Sequence, residues 1–233
     1  MWNVICNFIP TDKDINVYSV SGEKDIDNTC DSNVYVYIAK INDIQLCFEN
    51  SDLNVGGLTS KNSSIQSSSG YALLKYAVKD RWGIDEDFAT LSVTENGKPY
   101  VEGYSFSISH SGALVCVAIS KNEVGIDIEC STKRRNWLGL RRRVLTQKEN
   151  EELATDNETM TSNWTKKEAV FKLLGGRVFN PSFITLEGYY IDTITDISLD
   201  EDNYILSVAT REEVDNYLFV KKVAVYKDTL RLR

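Results

Sequence analysis

The chain has very little of the chemistry on which most zinc and redox sites depend. Its 233 residues contain one histidine, His110, and five scattered cysteines, and no two cysteines form a Cys-x-x-Cys pair. Zinc sites and thioredoxin-like sites need closely spaced cysteine or histidine ligands, so the sequence argues against both. An odd number of widely separated cysteines also favours a reducing, cytoplasmic compartment over a secreted, disulfide-bonded protein.

Long apolar runs and an excess of positive charge are also missing. No apolar run approaches the ~20 residues that a membrane-spanning helix needs, so we expect no membrane insertion. The first ten residues have no basic start and soon reach Pro10, which favours a strand over a signal peptide. The chain has 26 Lys and Arg against 34 Asp and Glu, a formal net charge of −8. That balance argues against general nucleic-acid binding, although it allows a local basic pocket for one anionic cofactor.

Apolar patterning predicts a globular protein that mixes strands and helices. Hydrophobic residues make up 42% of the chain and charged residues 26%, as in soluble proteins with a core. Strands are predicted at the N-terminus and over residues 34–39, 44–48, 104–109, 113–119, 124–129, 186–191, 204–209 and 219–226. Helices are predicted over 71–82, near 138–154 and over 164–174, the last ending at Gly175-Gly176, and residues 49–70 are either a loop or the weak start of a helix. Hairpins with intervening helices indicate an α+β fold.

Two carboxylates lie two residues apart in the apolar segment 124–129. If this segment is a strand, Asp127 and Glu129 point to the same face, because side chains alternate along a strand. Two carboxylates on one face repel each other unless a cation lies near them. Gly125 shares their face and, lacking a side chain, would let a ligand approach. The same pattern also fits a strand whose polar face meets water.

A second pair of charged residues is predicted to share one face of a helix in residues 164–172. Glu168 and Lys172 are four residues apart, and residues at that spacing are neighbours on a helix. Taken alone, such a pair is also the commonest kind of surface ion pair. If this face met Asp127 and Glu129, three carboxylates could hold a hard divalent cation and the lysine could meet a phosphate, which indicates phosphoryl chemistry.

Two further side chains are candidates for binding phosphate. His110 ends a predicted strand just before a glycine, and its ring N–H could contact phosphate with help from the Ser109 and Ser111 hydroxyls. A lone histidine is equally compatible with a surface position or a satisfied place in the core. Lys98, in a Gly-Lys-Pro turn, is either solvated or, near a pocket, a point charge for phosphate.

Together, these motifs resemble the 4′-phosphopantetheinyl transferase superfamily in their order and spacing. They are Gly97-Lys98-Pro99, Ile108-Ser109-His110-Ser111-Gly112, Val124-Gly125-Ile126-Asp127-Ile128-Glu129 and Trp164-Thr165-Lys166-Lys167-Glu168-Ala169-Val170-Phe171-Lys172. The chain is most similar to the monomeric class that activates peptide and polyketide synthetases in antibiotic biosynthesis, of which the surfactin-synthetase activator is the type. The combination of (I/V)-G-(I/V)-D-(I/V)-E with W-(S/T)-x-K-E-(A/S)-x-x-K is what makes the resemblance specific.

The resemblance implies an enzyme that transfers the phosphopantetheine arm of coenzyme A to a serine of an acyl or peptidyl carrier protein. The reaction would need magnesium and release adenosine 3′,5′-bisphosphate. By the same resemblance, the metal ligands would be Asp127, Glu129 and Glu168. The coenzyme A contacts would be Lys98, Ser109, His110 and Lys172. Glu168, or a water bound to magnesium, would take the proton of the attacking serine.

Family resemblance also implies two similar α+β halves that form a pseudo-dimer, with the active site in the cleft between them. We place the division near residue 120, so that residues 1–120 form one half and 121–233 the half with the metal-binding carboxylates. Such an arrangement lets a monomer work.

Residues 133–143 hold six basic side chains interleaved with apolar ones. They are interpreted either as a solvated loop and helix face or as a docking surface for an acidic carrier protein. In the second interpretation the contacts would come from Arg134, Arg135, Trp137, Leu138 and Arg142.

Two other functions remain compatible with the same residues. A non-catalytic member of the fold would bind coenzyme A or a carrier protein without transfer. An unrelated magnesium-dependent phosphohydrolase would consume coenzyme A or nucleotides with no protein acceptor.

Overall fold

The computed structural model describes residues 2–10, 15–17, 34–48, 65–84, 92–96, 98–213 and 218–231. The strands are β1 (Trp2–Pro10), β2 (Ile15–Val17), β3 (Val34–Lys40), β4 (Ser92–Val93), β5 (Pro99–Tyr100), β6 (Ser105–Ser111), β7 (Leu114–Ser120), β8 (Val124–Cys130), β9 (Tyr190–Leu199), β10 (Asp202–Thr210) and β11 (Leu218–Arg231). The helices are α1 (Ile41–Phe48), α2 (Ile65–Trp82), α3 (Trp137–Val144), α4 (Gln147–Glu152) and α5 (Asn157–Leu174), with a 3₁₀ turn at Pro181–Phe183.

Two sheets contain nine of the eleven described strands. The first has the strand order β1-β11-β3-β7-β6, and the second has the order β2-β9-β10-β8. Pairing is antiparallel throughout except between β11 and β3, which run parallel. The edge strand β6 of the first sheet and the edge strand β8 of the second lie next to each other, and this junction is where the predicted site residues are found.

Each sheet buries an apolar face, and one apolar cluster joins the two. Val36 and Ala118 of the first sheet and Ile126 and Leu206 of the second belong to the same buried cluster. On the other face of the first sheet, α2 packs Leu73 and its neighbours against aromatic and aliphatic side chains of β3, β6 and β7. Burial of these surfaces, at about 25 cal/mol per Å², is the main stabilising contribution to such a fold.

Two predictions in the first third of the chain need correction. Residues 44–48, predicted as a strand, belong to helix α1. Ile41 and Ile44 are both buried and three residues apart, which is a spacing typical of a helix. In so short an apolar run, the apolar pattern of a helix resembles that of a strand. The alternative that residues 49–70 hold the weak start of a helix is confirmed from Ile65 onward, where Ser69 and Gly70 are buried against the sheet. Residues 49–64 lie outside the described part.

The helix predicted near 138–154 is two helices. The backbone at Leu145 is extended, and Thr146 caps α4 with a capping box. In it the Thr146 hydroxyl accepts from the N–H of Glu149, and the Glu149 carboxylate accepts from the N–H of Thr146. The next predicted helix also begins earlier, at Asn157, because Asp156 caps it through the N–H of Thr159. Its predicted end is confirmed, since Gly175 has a φ of 64°.

Most strands predicted after residue 100 are confirmed, with shifted ends. β6, β7, β8 and β10 correspond to the predictions at 104–109, 113–119, 124–129 and 204–209. The strand predicted at 186–191 instead spans Tyr190–Leu199, and Gly188, with a φ of 86°, lies in the turn before it. The prediction covers only the first two residues of β9, because half of the residues in this strand are polar and weaken its apolar signal.

The mixture of sheets and helices confirms the predicted α+β class. Each sheet also takes a strand from the far side of the predicted division at residue 120: β11 lies in the first sheet and β2 in the second. The boundary at 120 and the pseudo-dimer of two similar halves stay predictions. Among the described residues, no helix combines the length and apolar character that crossing a membrane requires.

Candidate active site

Alternating serines on β6 fasten the two sheets together. The hydroxyl oxygens of Ser105, Ser107, Ser109 and Ser111 accept hydrogen bonds from the backbone N–H groups of Val124, Ile126, Ile128 and Cys130, at 3.0 to 3.4 Å. These N–H groups lie on the edge of β8 that faces away from β10, where a strand would otherwise leave them unsatisfied. The junction between the sheets is therefore built from side-chain hydroxyls, and it holds β6 and β8 in fixed register.

Asp127 lies at the centre of this junction. It is 2% exposed, and its Oδ1 accepts from the Ser109 hydroxyl at 2.7 Å and from the Lys172 ammonium at 2.7 Å. Its second oxygen, Oδ2, is buried without any hydrogen-bond partner. Burial raises the pKa of Asp127, and the lysine and serine contacts oppose that rise. A buried carboxylate oxygen without a partner is costly, so this atom calls for a ligand.

Helix α5 brings Glu168 and Lys172 to the same place, as their spacing predicts. Their side chains are 3.8 Å apart, and the Lys172 ammonium also donates to the Ser109 hydroxyl at 2.8 Å. Burial, and next the negative charge of Asp127, raise the pKa of Glu168 to about 7. Burial works to lower the pKa of Lys172, but the charges of Asp127 and Glu168 more than offset it, so the pKa is raised and the ammonium stays charged.

Gly125 explains how the helix comes so close. A side chain at this position would overlap the carbonyl oxygen of Ala169 and lie 2.5 Å from the amide nitrogen of Leu173, both on α5. The open space predicted beside this glycine is therefore filled by the helix backbone rather than by a ligand. This close packing is what sets α5 against β8 and puts Lys172 within hydrogen-bonding distance of Asp127.

Glu129 shares the face of Asp127, as the strand alternation predicts, but has different partners. Its Oε2 accepts from the Ser111 hydroxyl at 2.9 Å and forms an ion pair with Arg135 at 2.8 Å. The Arg135 guanidinium in turn stacks over Trp137 and Trp164, at 5.4 and 5.6 Å from the ring centres. All three predicted metal ligands thus already lie within ion-pair distance of a basic side chain: Glu129 pairs with Arg135, and Asp127 and Glu168 pair with Lys172.

A divalent cation fits this group of side chains by its chemistry. Magnesium prefers oxygen ligands. A cation would give the unpartnered Oδ2 of Asp127 a partner, and its positive charge would oppose the rise in the pKa values of Asp127 and Glu168. Among the described residues, however, no three His, Cys, Asp or Glu side chains converge closely enough to hold a metal ion. The predicted ligand set of Asp127, Glu129 and Glu168 therefore stays a prediction.

A cavity of about 290 Å³ opens beside this cluster. It is lined by Tyr71, Lys98, Phe106, Ile108, Phe171 and Lys172, so that apolar walls surround two lysines. Burial lowers the pKa of Lys98, whose ammonium donates to the carbonyl of Leu173 at 3.4 Å near the end of α5. Lys98 was predicted in a turn, and it immediately precedes β5, while Gly97 lies outside the described residues. Both predicted phosphate-binding lysines therefore face one cavity.

Ser109 and His110 occupy opposite faces of β6. The Ser109 hydroxyl donates once and accepts twice, which uses its full hydrogen-bonding capacity within the protein. His110 is an exposed residue at the end of the strand, and burial, followed by the nearby Lys172 charge, lowers its pKa. Of these two predicted coenzyme A contacts, His110 is the one whose side chain remains accessible.

The basic segment of residues 133–143, which runs into α3, is only partly exposed. Leu138 is 77% exposed, and Arg134 and Arg142 are also exposed. Trp137, predicted as an anchor for a partner, is 3% exposed, and its Nε1 donates to Asn157 at 2.8 Å. That prediction is wrong for Trp137 because the indole packs into a core of α3 and α5 with Met160 and Val144.

Sequence reasoning missed several residues that build the site. Lys167 is fully buried, donates to the carbonyls of Val144 and Pro181 and pairs with Glu149 at 2.6 Å, so it ties α5 to α3 and α4. Because Lys167 follows Lys166 in a predicted helix, the sequence alone indicated a charged residue on the surface. The serine series on β6 did leave a signal: three serines stand at alternate positions of the strand predicted over 104–109, and Ser111 continues the alternation just beyond it.

A comparison with protein-family models covers the part of the chain from which Asp127, Glu129, Glu168 and Lys172 come. Residues 123–217 match the family model of the 4′-phosphopantetheinyl transferase superfamily. The chain is also 27% identical over 114 residues to a protein of Bacillus subtilis named 4′-phosphopantetheinyl transferase, and these residues are 46% of this chain and 50% of that protein. The match thus spans about half the length of the relative. The segment that supplies Asp127, Glu129, Glu168 and Lys172 is similar to the 4′-phosphopantetheinyl transferase superfamily.

Proposed function

We propose that this protein transfers the 4′-phosphopantetheine arm of coenzyme A to a serine of an acyl or peptidyl carrier protein. The observation that carries the proposal is the cluster of Asp127, Glu168 and Lys172, which lies within the segment that matches the family model and opens onto a cavity with a second lysine. Three carboxylates beside a charged lysine are suited to a transferred phosphoryl group, whose catalysis depends on positioning and charge stabilisation.

In the proposed reaction, the carrier serine oxygen forms a bond to the β-phosphorus of coenzyme A, and the pyrophosphate P–O bond breaks. Adenosine 3′,5′-bisphosphate leaves with the electron pair of that bond. Lys172 and Lys98, which share the cavity, hold the phosphates and stabilise the charge that develops on the leaving group. His110 can donate a ring N–H to a phosphate from the exposed end of β6.

Magnesium would be held by Asp127, Glu129 and Glu168 and, when bound, would neutralise phosphate charge. Glu168 is also the proposed acceptor of the serine proton, because its carboxylate lies beside Lys172 in the same cluster. Ser109 takes a different role from the predicted one. Since its hydroxyl is saturated by Asp127, Lys172 and the N–H of Ile128, we propose that it positions the two charged groups rather than binding a phosphate.

Intact-mass spectrometry of an apo carrier protein tests the proposal directly. The carrier is incubated with this protein, coenzyme A and magnesium, and we expect its mass to rise by one phosphopantetheine arm. Parallel samples contain EDTA or the Asp127→Asn variant, which keeps the shape and the Oδ1 acceptor but removes the charge. We expect the gain to be lost in both. A phosphohydrolase would instead consume coenzyme A in samples without any carrier.

A non-catalytic binding protein is the second candidate function. It is favoured by one observation: Lys172 and Arg135 already pair with Asp127 and Glu129, and no three-residue metal cage is formed among the described residues. This candidate predicts that coenzyme A binds, as measured by calorimetry, while several acyl and peptidyl carriers gain no mass. Transfer to any one of these carriers would exclude it.

We also propose that an acidic carrier protein docks against the exposed residues near α3. Arg134 and Arg142 supply positive charge, and Leu138 is the exposed apolar contact. Raising sodium chloride from about 50 to about 300 mM should then raise the apparent KM for the carrier several-fold and leave kcat little changed, because exposed charges are screened over a few ångströms at high salt.

A double variant, Arg134→Gln with Arg142→Gln, is the matched control for this prediction. It should have a raised KM for the carrier at low salt, and its KM should respond only weakly to added salt. A salt response equal to that of the unaltered protein would contradict docking at these two arginines. The KM for coenzyme A is measured in the same series, because a general salt effect on the cavity would move that value too.

A further inference from the structure

Arg135 is held in place from three sides. Its Nη2 lies 2.8 Å from Glu129 Oε2, and its guanidinium stacks over the rings of Trp137 and Trp164. The side chain is 34% exposed and that of Glu129 only 14%, so the ion pair is partly shielded from water. Planar guanidinium groups suit this kind of stacked, hydrogen-bonded position, and the contacts order a side chain that would otherwise be mobile.

This arrangement competes with the proposed use of Glu129. The carboxylate oxygen that pairs with Arg135 also accepts a hydrogen bond from Ser111 at 2.9 Å. Its Oε2 thus already has two donors, one of them fully charged.

We infer that Arg135 is a resident counter-ion of Glu129 that a divalent cation must displace, so that this arginine weakens and thereby sets the metal affinity of the site. The inference rests on the proposed function, in which Glu129 is a metal ligand. The physical reason is direct competition for Oε2 of Glu129, added to the repulsion between the guanidinium and any divalent cation that Glu129 binds. Arg135 is accordingly a positioning residue and not a catalytic one.

Binding of Mn²⁺, measured by the electron paramagnetic resonance signal of the free ion, tests this without any need for transfer. Arg135→Gln should bind Mn²⁺ about tenfold more tightly than the unaltered protein, since it removes the competing charge. Arg135→Lys keeps a positive charge and should stay within about threefold of the unaltered protein. Arg134→Gln is the matched control, because it removes the same charge from the exposed neighbouring residue and should change the affinity less than twofold.

Tryptophan emission gives a second, local readout. Displacement of Arg135 from Glu129 also changes its contact with Trp137 and Trp164. Adding Mg²⁺, which does not itself quench, should therefore change the emission of the unaltered protein and of Arg134→Gln. In Arg135→Gln the change should be largely absent, although that variant binds the ion more tightly. If Arg135 only packed against the two tryptophans, Arg135→Gln would not combine tighter ion binding with a smaller change in emission.

Three outcomes would overturn the inference. Equal Mn²⁺ affinities for Arg135→Gln and Arg134→Gln would show that Arg135 does not compete for the site. Weaker binding by Arg135→Gln would mean that the arginine supports Glu129 as a ligand. No Mn²⁺ binding by any of the proteins would remove the competition altogether. The proposed function is judged separately by the mass of the carrier, so transfer with unchanged Mn²⁺ affinities would reject only the role of Arg135.

Discussion

Gly125→Ala is expected to lower the free energy of unfolding by about 3 kcal/mol and to abolish most of the transfer activity. The added methyl group would overlap the carbonyl oxygen of Ala169 and lie 2.5 Å from the amide nitrogen of Leu173. Both are backbone atoms of α5, so the clash cannot be relieved by rotating a side chain. Helix α5 and strand β8 therefore have to move apart, which lengthens the contact between Lys172 and Asp127. In an active site, a displacement of about 1 Å can lower the rate 10²-fold.

Chemical denaturation and carrier-mass assays measure the two effects, and Gly70→Ala is the matched control. A methyl group at Gly70 would lie 2.5 Å from Cγ2 of Ile108, which is a side chain, and α2 gains about 1 kcal/mol of helix preference from alanine. We therefore expect a loss of stability of about 1 kcal/mol or less for Gly70→Ala. If both variants lost the same stability, the special role of the backbone contact at Gly125 would be refuted.

The local parts of the site were predictable from periodicity. Strand alternation places Asp127 and Glu129 on one face, and helix periodicity does the same for Glu168 and Lys172. In the structure the first pair receives hydrogen bonds from Ser109 and Ser111, and the second pair is 3.8 Å apart. These relations depend only on residues a few positions apart, so a single sequence contains them.

What joins the two pairs was not predictable in the same way. Lys172 reaches Asp127 because α5 packs on Gly125, and a glycine in a strand has several possible meanings, of which a bound ligand was the one expected. The burial of Lys167 and Trp137 likewise depends on how α3, α4 and the 3₁₀ turn fold back over α5. Such contacts join residues about 14 to 45 positions apart, and neither hydropathy nor spacing encodes them.

The errors in the secondary structure have a similar cause. The break at Leu145 lies between two stretches that both favour helix, and it is decided by the Thr146 capping box rather than by apolar spacing. The polar strand β9 is held by its pairing with β10 and not by its own composition. Local signals therefore located most elements, while tertiary contacts decided where several of them begin and end.

Lys172→Met is expected to reduce kcat for transfer by about 10²- to 10³-fold, the loss typical of removing one charged or hydrogen-bonding group that stabilises developing charge. Methionine keeps a similar volume in the cavity wall but removes the ammonium that lies 2.7 Å from Asp127 and 2.8 Å from Ser109. Lys166→Met is the matched control on the same helix. Lys166 lines a different groove, with Glu152 and Ser162, and its replacement should change kcat less than about twofold and stability within about 0.5 kcal/mol.

Lys172 contributes to stability as well as to the proposed catalysis, and a second substitution at Asp127 separates the two effects. Without the ammonium, Asp127 becomes a buried carboxylate that has lost its charged partner, a change that typically costs 3–5 kcal/mol, about as much as breaking any buried ion pair. Adding Asp127→Asn to Lys172→Met removes the stranded charge while keeping an acceptor for Ser109, so most of the lost stability should return. Transfer should not return, since Lys172 holds the substrate phosphates in the proposed reaction and Asp127 is a proposed metal ligand. Recovery of transfer along with stability in this double variant would mean that Lys172 only supports the fold.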